Sequence, residues 1–319
     1  MSRWVAAAAV AALALAGCQS SGQGEPGRRS PSTASSTTTT QVRLQPAVRY
    51  QPLPGEPEPG AKQAAADAVQ ALTSYEASSD PAPAVGAALG RLGAPIGLVD
   101  QTRPLLGAGA SSMGDIVYPQ LGGLTSRSAS VMVIVRQRLL EGGDERTVVR
   151  SIDVRLARAG ENWAVTSVES AGGDEVVPGP ATSAAAAAVL ADGNLEMADS
   201  ARWDIAAGRI DERILTLLSK LGTDHRLGIT VLATGHPHNV FASESVSNHT
   251  EGRAVDIWSV DGRAVVEQRE LEGPLADLAR SLLAGGVTEL GGPWDLDGPG
   301  GASFTNVVHQ DHLHVGFDR

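Results

Sequence analysis

Five of the chain's seven histidines, His236, His238, His249, His312 and His314, fall in or beside two short stretches. The first reads Ser247-Asn248-His249-Thr250-Glu251-Gly252-Arg253-Ala254-Val255-Asp256 and the second Asp311-His312-Leu313-His314. Imidazoles and carboxylates gathered in this way are the donor set of a metal site. Cys18 is the only cysteine, so an intrachain disulfide and a thiolate-cluster site are both excluded. Asp256 stands between Val255 and Ile257 in a run that reads as a strand. A carboxylate buried there costs several kcal/mol unless a cation or hydrogen-bond donors meet it. His312 and His314 are two residues apart in a second strand and so share a face. His249, Asp256 and His314 would then supply two imidazoles and a carboxylate with a fourth position open, the composition of a catalytic zinc site. Zinc so held activates water near neutral pH and polarises a carbonyl. Asp311 is the acidic residue placed to take the water's proton, which leaves His312 to donate to the tetrahedral oxyanion.

The two stretches resemble the Ser-x-His-x-x-Gly-x-Ala-x-Asp and His-x-His signatures of the zinc D-Ala-D-Ala carboxypeptidases and related peptidoglycan metallopeptidases. Ser247, His249, Gly252, Ala254 and Asp256 match the first signature, and His312 and His314 the second. The resemblance covers roughly residues 180–319 and implies the fold shared with the hedgehog signalling domain. It also implies zinc on His249, Asp256 and His314, Asp311 as general base, His312 as transition-state donor, and hydrolysis of peptidoglycan stem peptides. Members of the family commonly carry a substrate-holding Arg where this chain reads Thr234-Gly235-His236-Pro237-His238, without one. His236 and His238 are therefore candidates for substrate-side or purely structural roles, with Ser247 beside them as a substrate-binding candidate. The same motifs also suit a non-catalytic zinc-containing module that binds cell-wall peptide or a protein.

The elements that must carry these residues are legible in part. Helices are predicted over 183–190 and over 212–221, the latter capped by Asp211 and ended by Gly222, and a third begins near Pro274 and ends at Gly285-Gly286. Strands are predicted over 229–233, 254–258 and 312–317. Helices mixed with hairpin-like returns indicate an α+β domain over 180–319. Asp295-Leu296-Asp297-Gly298 reads as a turn, 291–301 as a flexible rim, and His225 and His309 as solvated or loop residues. Upstream, residues 61–175 open with a helix over 61–76 whose Ala65, Ala68, Val69 and Leu72 recur at helical spacing. A Gly-rich irregular middle follows, then three strands over 129–140, 146–157 and 163–168. This reads as a small α+β accessory domain, an antiparallel meander on a helix that loosely resembles the cystatin-like or nuclear-transport-factor-like cone. It shows no catalytic constellation, and one further reading makes it an interaction platform. Residues 171–182 read as a linker.

The first 18 residues combine Arg3, an apolar run over 5–16 and the ending Leu15-Ala16-Gly17-Cys18. The run is too short to span a bilayer. Its ending resembles the bacterial lipobox, which implies an acylated Cys18 and a lipoprotein anchored on the outer face of a cytoplasmic membrane. Residues 19–60 are rich in Ser, Thr and Pro and read as a disordered tether. Lys and Arg number 25 against 36 Asp and Glu, a net charge of −11, and aromatics are 3% of the chain. Both figures argue against a nucleic-acid partner.

Overall fold

The computed structural model describes residues 43–179 and 182–318, so the expected signal peptide, Cys18 and the first part of the tether lie outside the described residues. The fold is α+β and is built on two sheets, each with its own apolar core.

The first half begins with α1 (Pro59–Thr73), started by Pro59 at a position where the missing amide donor costs nothing. Its Ala65, Ala68, Val69 and Leu72 are fully buried against a meander. Short helices α2 (Ala82–Arg91) and α3 (Leu98–Gln101) follow. Then come β1 (Ser111–Leu124), β2 (Ser128–Glu141), β3 (Asp144–Ala159) and β4 (Asn162–Ser170), antiparallel in the order β1-β2-β3-β4. Strand β1 lies in the segment expected to be irregular. Its Gly114, Gly122 and Gly123 look like breakers in sequence, but the strand carries bulges between Ile116 and Tyr118 and between Leu121 and Gly123. A Cβ on Gly123 would come within 2.1 Å of the Phe241 ring, so the glycine serves a close approach and not a turn.

The C-terminal part of the expected tether is held in place. Arg49 pairs with Asp67 of α1, the Gln70 side chain donates to Val48 O, Arg138 donates to Gln45 O, and Glu56 is buried beside Lys62. Side chains of the folded domain capture a Pro-rich segment that has no apolar periodicity of its own.

The second half contains α4 (Ala184–Ala191), β5 (Leu195–Met197), α5 (Asp199–Ala206), α6 (Glu212–Asp224), β6 (Leu227–Val231), β7 (Ala254–Val260), β8 (Arg263–Ala264), α7 (Pro274–Ala284), β9 (Glu289–Gly291), β10 (Ser303–Phe304) and β11 (Leu313–Gly316). The sheet order is β10-β9-β11-β7-β6-β5, with β8 beside β7. β5 and β9 run parallel to β6 and β10 respectively, and the remaining pairs are antiparallel. Helix α6 runs past Gly222, which is small because Asp192 and Leu195 pack directly on it.

Strand alternation fixes the two faces of this sheet. Val255 and Ile257 of β7 and Leu313 and Val315 of β11 enter the core formed with Leu218 of α6 and Leu278 and Leu282 of α7. Asp256, Trp258 and His314 point the other way. That second face is covered by β1, whose Tyr118 ring stacks on Trp258 at 4.7 Å and 15°.

Candidate metal centre

Register brings two of the expected ligands together: His314 of β11 is the cross-strand partner of Asp256 of β7. The third, His249, comes from the loop between β6 and β7. Its Nδ1 lies 2.7 Å from Leu232 O, a pure acceptor, so Nδ1 carries the proton and Nε2 presents a lone pair. The loop holds this pose through His249 N, which donates to Ser247 Oγ, and through Gly252 N, which donates to His249 O. Gly252 itself has φ +70°, and a Cβ there would lie 2.0 Å from Arg209 O.

Three atoms able to ligate a metal converge as a result. His249 Nε2 is 3.1 Å from Asp256 Oδ1 and 3.1 Å from His314 Nδ1, and His314 Nδ1 is 3.0 Å from Asp256 Oδ1. Donors about 2.0–2.1 Å from a tetrahedral ion stand about 3.3 Å apart. The near-equilateral triangle therefore fits one small cation with little movement. His236, His249 and Asp256 form an overlapping group whose donor atoms lie within 4.8 Å of one another and could also hold a metal ion. The tighter triangle is the better cradle. His236 stacks face to face on His249 at 4.0 Å, and its Nδ1 is 2.7 Å from Pro237 O, which leaves Nε2 with a lone pair.

The carboxylates and imidazoles around the triangle shift one another. Burial pushes the Asp256 carboxyl up, but His249 and His312 outweigh it and hold the group well below its usual range. Burial pushes the His314 imidazole down, yet its contacts with Asp256 and Glu289 raise it to about 10. Glu289 Oε2 is 3.3 Å from His314 Nε2, and its carboxyl is drawn down to about 2, chiefly by His314. With an ion on Nδ1, the Nε2 proton faces Glu289, the carboxylate–imidazole–metal arrangement that fixes a ligand's tautomer.

Asp311, expected as the base, does not face the triangle. It is wholly buried, with Oδ1 2.7 Å from His312 Nδ1 and Oδ2 2.5 Å from Lys62 Nζ and 3.0 Å from Leu121 N. An imidazole stands between its carboxylate and the cradle. The atom that does reach the cradle is His312 Nε2, 3.8 Å from Asp256 Oδ2, with Asp311 fixing the proton on Nδ1. The strand pattern placed both residues near the site but could not show which way Asp311 turns, because its cationic partner lies 249 positions away.

The remaining candidates divide. His236 lies at the centre. His238 is exposed, bonds Asn239, and lines a groove with Arg155 and Phe241 away from the triangle. Ser247 is buried and shapes the turn under His249. Several residues at the centre were not expected. His309 packs its ring 4.9 Å from His312 and, edge-on, against Phe304. Gln120 of β1 donates from Nε2 to Asp256 Oδ2 at 2.6 Å. Lys62 of α1 meets Glu56, Asp311 and, at 3.3 Å, the Tyr118 hydroxyl. Lys62 had a sequence signal: one of only two lysines in the chain, it lies three and seven residues before Ala65 and Val69 on the buried stripe of its helix. No family model, curated protein or solved structure matches this chain.

Proposed function

We propose that the second half of the chain is a zinc metallopeptidase that hydrolyses peptide bonds of peptidoglycan stem peptides, on the fold that the two motifs resemble, and that the chain is held extracytoplasmically by a lipid on Cys18. The observation that carries this reading is the convergence of His249 Nε2, Asp256 Oδ1 and His314 Nδ1 on one point, with His312 Nε2 at its edge. Two imidazoles and one carboxylate suit zinc among the common cations. Zinc supplies Lewis acidity toward a substrate carbonyl and activates water at neutral pH. His249, Asp256 and His314 hold that ion. His312, with its proton on Nδ1 directed at Asp311, offers Nε2 to accept a proton from the attacking water and return it to the leaving amine. Asp311 keeps the ring in that tautomer and orientation. His236 and Phe304, both half-buried, form the rim that a peptide would meet.

The test is zinc content together with release of peptide from purified stem-peptide substrates, for the whole chain and two variants. His314→Ala loses zinc and hydrolysis together. His312→Ala keeps zinc and loses about 10²-fold or more in kcat. The near-complete burial of His249 and Asp256 also favours a second reading, a non-catalytic zinc-containing cell-wall or protein-binding module. Stoichiometric zinc with no cleavage of any stem peptide by the wild-type protein selects that module.

A further inference from the structure

We propose that Lys62 and Gln120, both from the N-terminal half, are positioning residues of the metal centre: Lys62 fixes His312 through Asp311, and Gln120 fixes the ligand Asp256.

A wholly buried ammonium needs close anionic partners. Glu56 alone would neutralise Lys62, and both lie in the N-terminal half. The ammonium nevertheless also reaches across to Asp311 Oδ2 at 2.5 Å, and the Leu121 amide donates to the same oxygen at 3.0 Å. The other oxygen, Oδ1, is left for His312 Nδ1. Two donors from the N-terminal half therefore decide which way the carboxylate turns, and the carboxylate decides which way His312 turns. Tyr118 braces the junction, with its hydroxyl 3.3 Å from Lys62 Nζ and its ring on Trp258.

Gln120 acts on the opposite side of the centre. Its Nε2 takes Asp256 Oδ2, the oxygen that does not meet His249 Nε2 and His314 Nδ1, and so leaves Oδ1 to the cradle. A carboxylate ligand pinned through its free oxygen is pre-oriented for its ion. Among the described residues, Gln120 Oε1 is buried with no hydrogen-bond partner. Neither half of the chain contains the whole centre, and the accessory meander forms part of it.

The Lys62 part rests on the peptidase reading, whereas the Gln120 part requires only that the site bind zinc. Both are tested in the full chain by competition for zinc with a chromogenic chelator and by kcat and KM on a stem peptide. Gln120→Leu lowers zinc affinity about 10- to 100-fold. For Lys62, the double variant Glu56→Gln/Lys62→Met removes one negative and one positive charge, so the net charge of the cluster is unchanged and the loss of a lone buried cation does not confuse the result. It lowers kcat by about tenfold or more, with KM and zinc affinity held within about threefold. Wild-type zinc affinity in Gln120→Leu, or wild-type kcat in the double variant, overturns the corresponding assignment. A wild-type protein that binds zinc but cleaves nothing refutes the peptidase reading and the Lys62 role with it, and the zinc competition then decides Gln120 alone.

Discussion

A metal ion bound in the cradle would compete with a proton at His314, and the structure sets how strongly. In the metal-free protein, Nδ1 lies 3.0 Å from Asp256 Oδ1 and Nε2 lies 3.3 Å from Glu289 Oε2. Burial opposes the charge on the ring, but the two carboxylates prevail and raise the imidazole from 6.5 to about 10. Glu289 stays ionised across the neutral range, since its own carboxyl sits at about 2. An ion binding at Nδ1 displaces the proton, so apparent affinity falls about tenfold for each pH unit below about 10. Between pH 9 and pH 6 this amounts to about 10³-fold, or about 4 kcal/mol. Competition titration with a chelator of known proton affinity, at pH 6, 7, 8 and 9, reads the slope directly. An imidazole with an ordinary pKa gives a slope near zero above pH 7. A corrected affinity that is flat between pH 7 and pH 9 refutes the assignment of His314 as a ligand flanked by two carboxylates.

Two more expectations follow from the same geometry. In the chelated protein, the raised His314 contributes stability that is complete below pH 6.5 and is lost as pH rises through about 10, whereas the depressed Glu289 contributes stability present above pH 4.5 and lost as pH falls through about 2. Melting curves of the metal-free protein therefore show this cluster's maximum between pH 4.5 and 6.5, and zinc removes the decline on the alkaline side. An alkaline decline of equal size with zinc bound contradicts that account. Gly252→Ala forces a side chain into a left-handed backbone position and against Arg209 O. It lowers stability by about 2 kcal/mol or more and reduces zinc occupancy through His249, and wild-type melting together with full occupancy contradicts the role given to this turn.

The legible parts of the fold were those with a period. Helices α1, α6 and α7 carry apolar stripes, and β2, β3 and β7 are long enough to show in sequence. Strands β5, β9 and β10 span two or three residues and have no pattern to read. β1 falls where no strand is expected, and β6 starts two residues before its expected position, because Gly114, Gly123 and Gly228 look like breaks although neighbouring side chains occupy the space where a Cβ would stand. At the site, the spacing of His249, Asp256 and His314 was enough to suggest a cradle, because strand alternation and a short turn are local rules. Gln120, Lys62 and Glu289 were not legible as partners, since they reach the centre from other elements at large sequence separation.

Asp311 shows what that separation hides. In sequence it is an acidic residue next to a histidine, and both that position and the resemblance of the two motifs make it the expected base. In the folded chain His312 lies between two carboxylates, Nδ1 2.7 Å from Asp311 and Nε2 3.8 Å from Asp256. Lys62 compensates the first carboxylate, and a cation in the cradle would compensate the second. Asp311 therefore orients the histidine beside it, and the cation that orients Asp311 is supplied by the helix that opens the N-terminal half.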